Sequence, residues 1–152
     1  MLNDKNNELM QVNQSAPVFQ TKEIFIQASP EKVWAILTHV AEWPRWNSKI
    51  TKAKLEGNAS EGTPFRWTIN GAGIQSVFHT VKQPQALGWS GVTFGATAIH
   101  NWYLQAHADG TRVKVEESME GWLISLFRKK MNRDLASDML YWLEALKQES
   151  EK

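Results

Sequence analysis

The chain has 152 residues, is 42% hydrophobic and 22% charged, and has a formal net charge of +1. That length suits one domain with a sizeable core, and so small a charge gives no global electrostatic case for nucleic acid or an anionic membrane. The absence of cysteine excludes disulfides, thiolate catalysis and Cys-ligated metals.

Residues 1–20 are rich in Asn and Gln, with scattered Leu2, Leu9, Met10 and Val12, and read as a flexible N-terminal tail with one weak helical turn near 5–12. They lack a signal peptide's hydrophobic centre, and no apolar run in the chain approaches the ~18 residues of a membrane span. The cytoplasm is the expected location, without stable membrane insertion. Residues 21–28 read as the first strand. Ser29 then supplies a helix N-cap, Pro30 fits the first turn, and Glu31 suits the positive end of the dipole. Val33, Trp34, Leu37 and Val40 recur at helical spacing, which predicts an amphipathic helix over 30–40. In Trp43-Pro44-Arg45-Trp46 the proline biases Trp43 away from helix and bends the chain, with a turn or second short helix at 42–46. The two rings flank that bend, placed to plug the open end of a curved sheet. Arg45 reads either as a guard of a cavity entrance or as an exposed cation packed on Trp43 or Trp46.

Residues 50–55 alternate weakly, as a partly exposed strand does, and 57–62 form a polar loop. Phe65, Trp67 and Ile69 alternate with polar neighbours up to Asn70-Gly71, a strong hairpin signal. Ile74, Ser76 and Phe78 return on the same face, leaving His79 on the solvated one. In the strand over 86–94, Leu87, Trp89, Gly91 and Thr93 share a face, and Gly91 and Gly95 point to a bend or bulge. Ala98, His100, Trp102, Leu104 and Ala106 form one face of the next strand. Asp109-Gly110 is a type I′ turn candidate, and Val113, Val115 and Glu117 return on one face. With those turn residues Leu104 faces Val115, Trp102 faces Glu117, and His100 sits diagonal to Glu117. His39 falls at the first helix end and His107 beside the last turn.

From Trp122 to about Lys147 the apolar period lengthens to 3.6. Ile124, Phe127, Met131, Leu135, Met139, Trp142, Leu143 and Leu146 form one stripe on a helix of roughly 25 residues, about 37 Å long. Arg128, Lys129, Lys130 and Arg133 form the one dense basic cluster and read as a solvated face. A long amphipathic helix after antiparallel strands needs a concave sheet to bury its stripe. The expected fold is therefore α+β: a helix-grip fold in which a curved antiparallel sheet of about seven strands wraps around a long C-terminal helix, with two short helices after the first strand.

The strand leading into Ser29-Pro30-Glu31-Lys32-Val33-Trp34, and the Trp43-to-Trp46 turn, resemble the opening of the START-like superfamily (also called SRPBCC or Bet v 1-like), in its polyketide cyclase/dehydrase-like branch. Gly110-Thr111-Arg112-Val113, Glu117-Ser118, Gly121-Trp122-Leu123 and the segment from Trp142-Leu143 to Lys147 resemble it as well, so the resemblance covers residues 22–148. It implies a START-like ligand-binding domain over 21–150 and a cavity between sheet and long helix for an apolar or amphipathic ligand.

The residues make that cavity plausible in their own right. Trp67, Ile69, Ile74, Ser76, Phe78, Trp89, Thr93, His100, Trp102, Leu104 and Glu117 lie on the assigned inner faces, and Met131 and Leu135 on the helix stripe. Apolar surface with a few polar groups is the usual makeup of a small-molecule pocket. The eight tryptophans suit either such a pocket or a core filled with rings. An inward Glu117 needs a partner, and His100 can supply it across the hairpin. The pair is either structural or an acid–base pair for an enolisable ligand, as a cyclisation or dehydration requires. No HxH or HxxxH spacing, phosphate loop or G-x-S-x-G elbow occurs, so no metal and no cofactor is expected. The expected function is binding of a small hydrophobic or aromatic ligand, lipid- or polyketide-like. The alternatives are a cyclase or dehydratase-type enzyme using His100 and Glu117, and a protein-interaction module of the chaperone-regulator type. The sequence leaves the oligomeric state open.

Overall fold

A computed structural model describes residues 10–152 of the chain. The helical turn expected near 5–12 therefore lies largely outside the described residues. Seven antiparallel strands form one sheet in the order β1-β7-β6-β5-β4-β3-β2. They are β1 (Val18–Ile26), β2 (Ile50–Leu55), β3 (Pro64–Ile69), β4 (Ala72–Lys82), β5 (Ala86–Thr93), β6 (Ala96–His107) and β7 (Gly110–Glu120). Four helices accompany them: α1 (Pro30–Thr38) and α2 (Trp43–Trp46) between β1 and β2, then α3 (Trp122–Leu126) and α4 (Arg128–Ser150). This is the helix-grip arrangement. Among the described residues, no helix is long and apolar enough to cross a membrane.

The segment between β1 and β2 follows its local chemistry with one exception. Ser29 Oγ accepts from the Lys32 amide at 3.2 Å and caps α1, which ends at Thr38 because His39 leaves helical geometry. A single 3-10 turn, Val40–Glu42, leads into α2. Trp43 is helical despite preceding Pro44, contrary to the expected bias. Its ring is fully buried and its Nε1 donates to the Leu37 carbonyl at 3.0 Å. That buried hydrogen bond and the ring's packing outweigh the steric preference of a residue before proline. Arg45 is exposed and pairs with Glu42 at 3.0 Å and with Glu149 of α4; it does not line the cavity beneath α4.

Three other local expectations differ from the fold. The β4 irregularity lies between Phe78 and Thr80, so the bulge is at His79, while Gly91 sits in regular pairing with Ser76 and Ala98. His79 is consequently half-buried, its ring over Gly88, where a Cβ would come within 2.4 Å of it. In the last hairpin His107 pairs with Gly110, so the turn residues are Ala108 and Asp109. Gly110 is drawn into the strand because its backbone presses on β1, where a Cβ would lie 2.1 Å from the Ile26 carbonyl. The register moves by two residues, faces are preserved, and His100 lies directly opposite Glu117. Finally, the C-terminal stripe is broken at Phe127, which separates α3 from α4 and leaves its own ring exposed. Asn70-Gly71 turns as expected, with both residues at positive φ and Ile69 opposite Ala72.

β1 begins at Val18, and residues ahead of it pack on the sheet's outer side. The Asn13 amide donates to Ser118 Oγ at 3.0 Å, Asn101 Nδ2 donates to the Met10 carbonyl at 2.8 Å, and Val12 and Ala16 are buried.

Candidate functional site

The sheet register explains where the fold is full and where it is hollow. One row of inward residues runs Phe78, Trp89, His100, Glu117 across β4 to β7. The row above it includes Leu87, Trp102 and Val115. These large side chains meet Trp43 and Phe65 from one side and Trp142 of α4 from the other. Trp43 lies edge-on to Trp67 at 5.6 Å and to Trp142 at 5.2 Å, and Phe65 stacks on Phe78 at 4.5 Å. The row below reads Ser76, Gly91, Ala98, Met119. Three consecutive small residues cannot fill the space beneath α4, and a cavity of about 770 Å³ opens there. That volume lies within the usual range of small-molecule sites.

Ten of the residues expected at a site border this cavity: Trp67, Ile69, Ile74, Ser76, Trp89, Thr93, His100, Glu117, Met131 and Leu135. Phe78, Trp102 and Leu104 do not. They share the inner face but sit among the packed rings, buried on the filled side of the sheet. Alternation alone could not make this distinction, because it assigns a face and not a position along it. The wall also includes residues that inspection of the strands missed. Asn70, Lys130, Asp134 and Asp138 contribute polar groups; Phe94, Leu123, Ile124, Met139 and Trp142 contribute apolar ones. Ile124, Met139 and Trp142 were visible on the helix stripe. Asp134 and Asp138, one turn apart on α4, carried no signal for facing inward.

Burial separates the floor from the rim. Ser76, Trp89, His100, Glu117 and Trp142 are buried, whereas Asn70, Phe94 and Lys130 are exposed. At the rim Lys130 bonds Asp134, and that hydrogen bond holds the carboxyl below the ordinary carboxylate range. Asp138 accepts from Lys49 Nζ at 2.8 Å and from Asn70 Nδ2 at 2.9 Å.

On the floor, His100 Nδ1 lies 2.5 Å from Glu117 Oε1, with His100 only 3% exposed. The imidazole stacks on Trp89 at 4.4 Å and on Trp102 at 5.5 Å, and Trp142 meets its edge. The two groups are within ion-pair distance, but the geometry of the contact is not that of a hydrogen bond, so neither imidazole nitrogen has a directional one. Nε2 of His100 and Nε1 of Trp142 have no partner among the described residues. Buried polar atoms on a cavity wall normally find one. Ser76 Oγ accepts from Trp67 Nε1 at 3.0 Å and still has its own proton to donate. No group of three or more His, Cys, Asp or Glu side chains positioned to hold a metal occurs among the described residues.

Comparison with known proteins agrees with this architecture. A family model described as polyketide cyclase / dehydrase and lipid transport matches residues 20–151. Among curated proteins, no sequence matches. A hypothetical protein from Helicobacter pylori has the same fold at a TM-score of 0.81 and 15% identity, with 94% of this chain and 98% of that one covered. A START superfamily protein from Mycobacterium smegmatis superposes with a TM-score of 0.62 at 15% identity, covering 84% of this chain and 98% of that one. The di-domain ARO/CYC StfQ from the steffimycin biosynthetic pathway gives 0.72 at 13% identity, over 88% of this chain and 51% of that one. At these identities the likeness is one of fold.

Proposed function

The chain belongs to the polyketide cyclase / dehydrase and lipid transport family, and from that membership we propose that its cavity holds a small hydrophobic or aromatic ligand, lipid- or polyketide-like. The observation that carries this is the hollow above Ser76, Gly91 and Ala98, walled by Trp67, Trp89, Trp142, Met139 and Leu135. Burying a ligand's apolar surface there contributes about 25 cal/mol per Å² removed from water. The unengaged Nε2 of His100 and Nε1 of Trp142 would orient a polar atom of the ligand. Leaving such groups unpaired penalises a wholly apolar occupant, so a ligand carrying a hydroxyl or carbonyl is favoured.

The test is titration with long-chain acyl compounds and fused-ring phenols, read by tryptophan emission, because Trp67, Trp89 and Trp142 border the cavity. Saturable quenching is expected. Ala98→Phe, which places a ring in the hollow, should abolish it while leaving the fold intact. If no compound quenches and none co-purifies with the protein from its own host, the cavity reading fails.

The closeness of His100 and Glu117 favours a second reading, a cyclase or dehydratase. His100 would take a proton from a carbon between two carbonyls, and Glu117 would stabilise the imidazolium that forms. His100→Gln and Glu117→Gln should then abolish turnover of an enolisable polyketone while ligand quenching persists. Unchanged turnover in both variants would leave ligand binding alone.

A further inference from the structure

The outer lip of the cavity has a composition of its own. Phe94 in the β5–β6 turn is 77% exposed, and Trp122 and Leu126, one helical turn apart on α3, are 61% and 67% exposed. Phe127, at the break before α4, is exposed as well. The turn and α3 form one body. The Phe94 and Trp122 rings meet edge to face at 5.6 Å, and the Leu123 amide donates to the Gly95 carbonyl at 3.3 Å. Phe94 and Leu123 also border the cavity, so this cluster stands at its entrance. Singly exposed apolar residues need no explanation, but clustered rings at a cavity mouth do.

The chain continues directly into Arg128, Lys129, Lys130 and Arg133, all exposed. Lys130 is paired with Asp134; among the described residues Arg128, Lys129 and Arg133 form no ion pair. Of the carboxylates nearest in sequence, Asp134 is paired with Lys130 and also feels the charge of Arg133, and Glu120 accepts from Asn13 Nδ2 at 3.0 Å and keeps its charge, so the four cations outnumber these two anions. The first turn of α4 has no acidic residue, so the positive end of its dipole adds to the same field.

We propose that this lip docks on the surface of an anionic lipid bilayer. Phe94, Trp122, Leu126 and Phe127 enter the interfacial layer, and Arg128, Lys129 and Arg133 rest on the headgroups. Aromatic and aliphatic side chains partition into that layer, basic side chains are drawn to anionic headgroups, and the two signals together give reversible binding. The shape favours a bilayer over a protein partner. Rings projecting from a turn and a short helix enter a fluid interface without a matching pocket, whereas a protein surface must supply one. Docking this way sets the cavity mouth against the lipid. The inference goes beyond the reading of the cavity and does not depend on what the cavity holds.

The full chain is mixed with vesicles of phosphatidylcholine alone, or of phosphatidylcholine with phosphatidylserine, and sedimented. Binding is expected to the anionic vesicles, to fall with added salt, and to be absent with phosphatidylcholine alone. Replacing Arg128, Lys129 and Arg133 by Ala should weaken it roughly a hundredfold. Trp122→Ser with Leu126→Ser should weaken it about tenfold or more even at low salt. All five side chains are exposed, so the variants should keep the native circular dichroism spectrum. Failure of the unaltered chain to bind anionic vesicles overturns the proposal, as does binding that neither variant changes. Self-association or capture by an acidic protein, lost in the Trp122 variant and seen without vesicle binding, assigns the lip to a protein partner and overturns it too.

Discussion

Trp43 and Trp122 share a side chain and have opposite surroundings. Trp43 is fully buried against Phe65, Trp67, Trp89 and Trp142. Trp43→Ala should cost about 3–5 kcal/mol in a urea unfolding titration. Trp122→Ala, at an exposed position, should stay within about 0.5 kcal/mol. His79 provides a third check at this scale. Burial lowers its pKa from the usual 6.5, so the folded protein resists charging it. Its contribution to stability is complete above that value and is lost as pH falls below it toward the folded pKa. His79→Gln should remove this part of the acid dependence, seen as a smaller difference between unfolding free energies measured on either side of ~6.5. Alternation assigned His79 to solvent because a bulge at one residue is invisible to a period of two.

Among the elements, α1 depends on a cap that was legible from Ser29-Pro30-Glu31. Ser29→Ala should lower stability by about 1 kcal/mol by removing the acceptor of the Lys32 amide. α3 depends on a close approach that was not legible. Gly95 has φ +68°, and a Cβ there would lie 2.8 Å from that of Leu123. Gly95→Ala should therefore displace α3 from the β5–β6 turn and cost about 1–3 kcal/mol, with Trp122 emission shifting as its contact with Phe94 is lost. Beside the buried Trp43–Trp142 contact, α2 and α4 are joined at the surface by an ion pair, Arg45 with Glu149. Arg45, then Lys152, holds the Glu149 carboxyl below its ordinary range. A depressed carboxylate stabilises the fold above its unfolded pKa, and that stabilisation is lost as pH falls through the folded one. Arg45→Met should accordingly destabilise the protein near neutral pH, and the difference from the unaltered chain should shrink on acidification below the usual carboxylate range of about 4.5, as urea midpoints across that interval would report.

For the whole molecule, a ligand that binds only the folded chain shifts the unfolding equilibrium by mass action. At a hundred times its dissociation constant it adds about 2.7 kcal/mol, worth roughly 5–10 °C in Tm for a domain of this size. Differential scanning calorimetry should show that shift for a quenching ligand and none for Ala98→Phe.

The order of strands and helices and the inner faces were determined by the sequence, which put His100 and Glu117 on one face of one hairpin but only diagonal to each other. Period-two and period-3.6 patterns, a cap and a glycine turn are local signals, and they act locally. The break at Phe127, the two-residue shift of the last hairpin and the division of the inner face into a filled and a hollow part were decided by tertiary structure. Each depends on what lies opposite: Gly95 beneath α3, the Ile26 carbonyl against Gly110, and Ser76, Gly91 and Ala98 brought into one row only once three strands are in register. No single strand carries that row, so the hollow is a property of the assembled sheet.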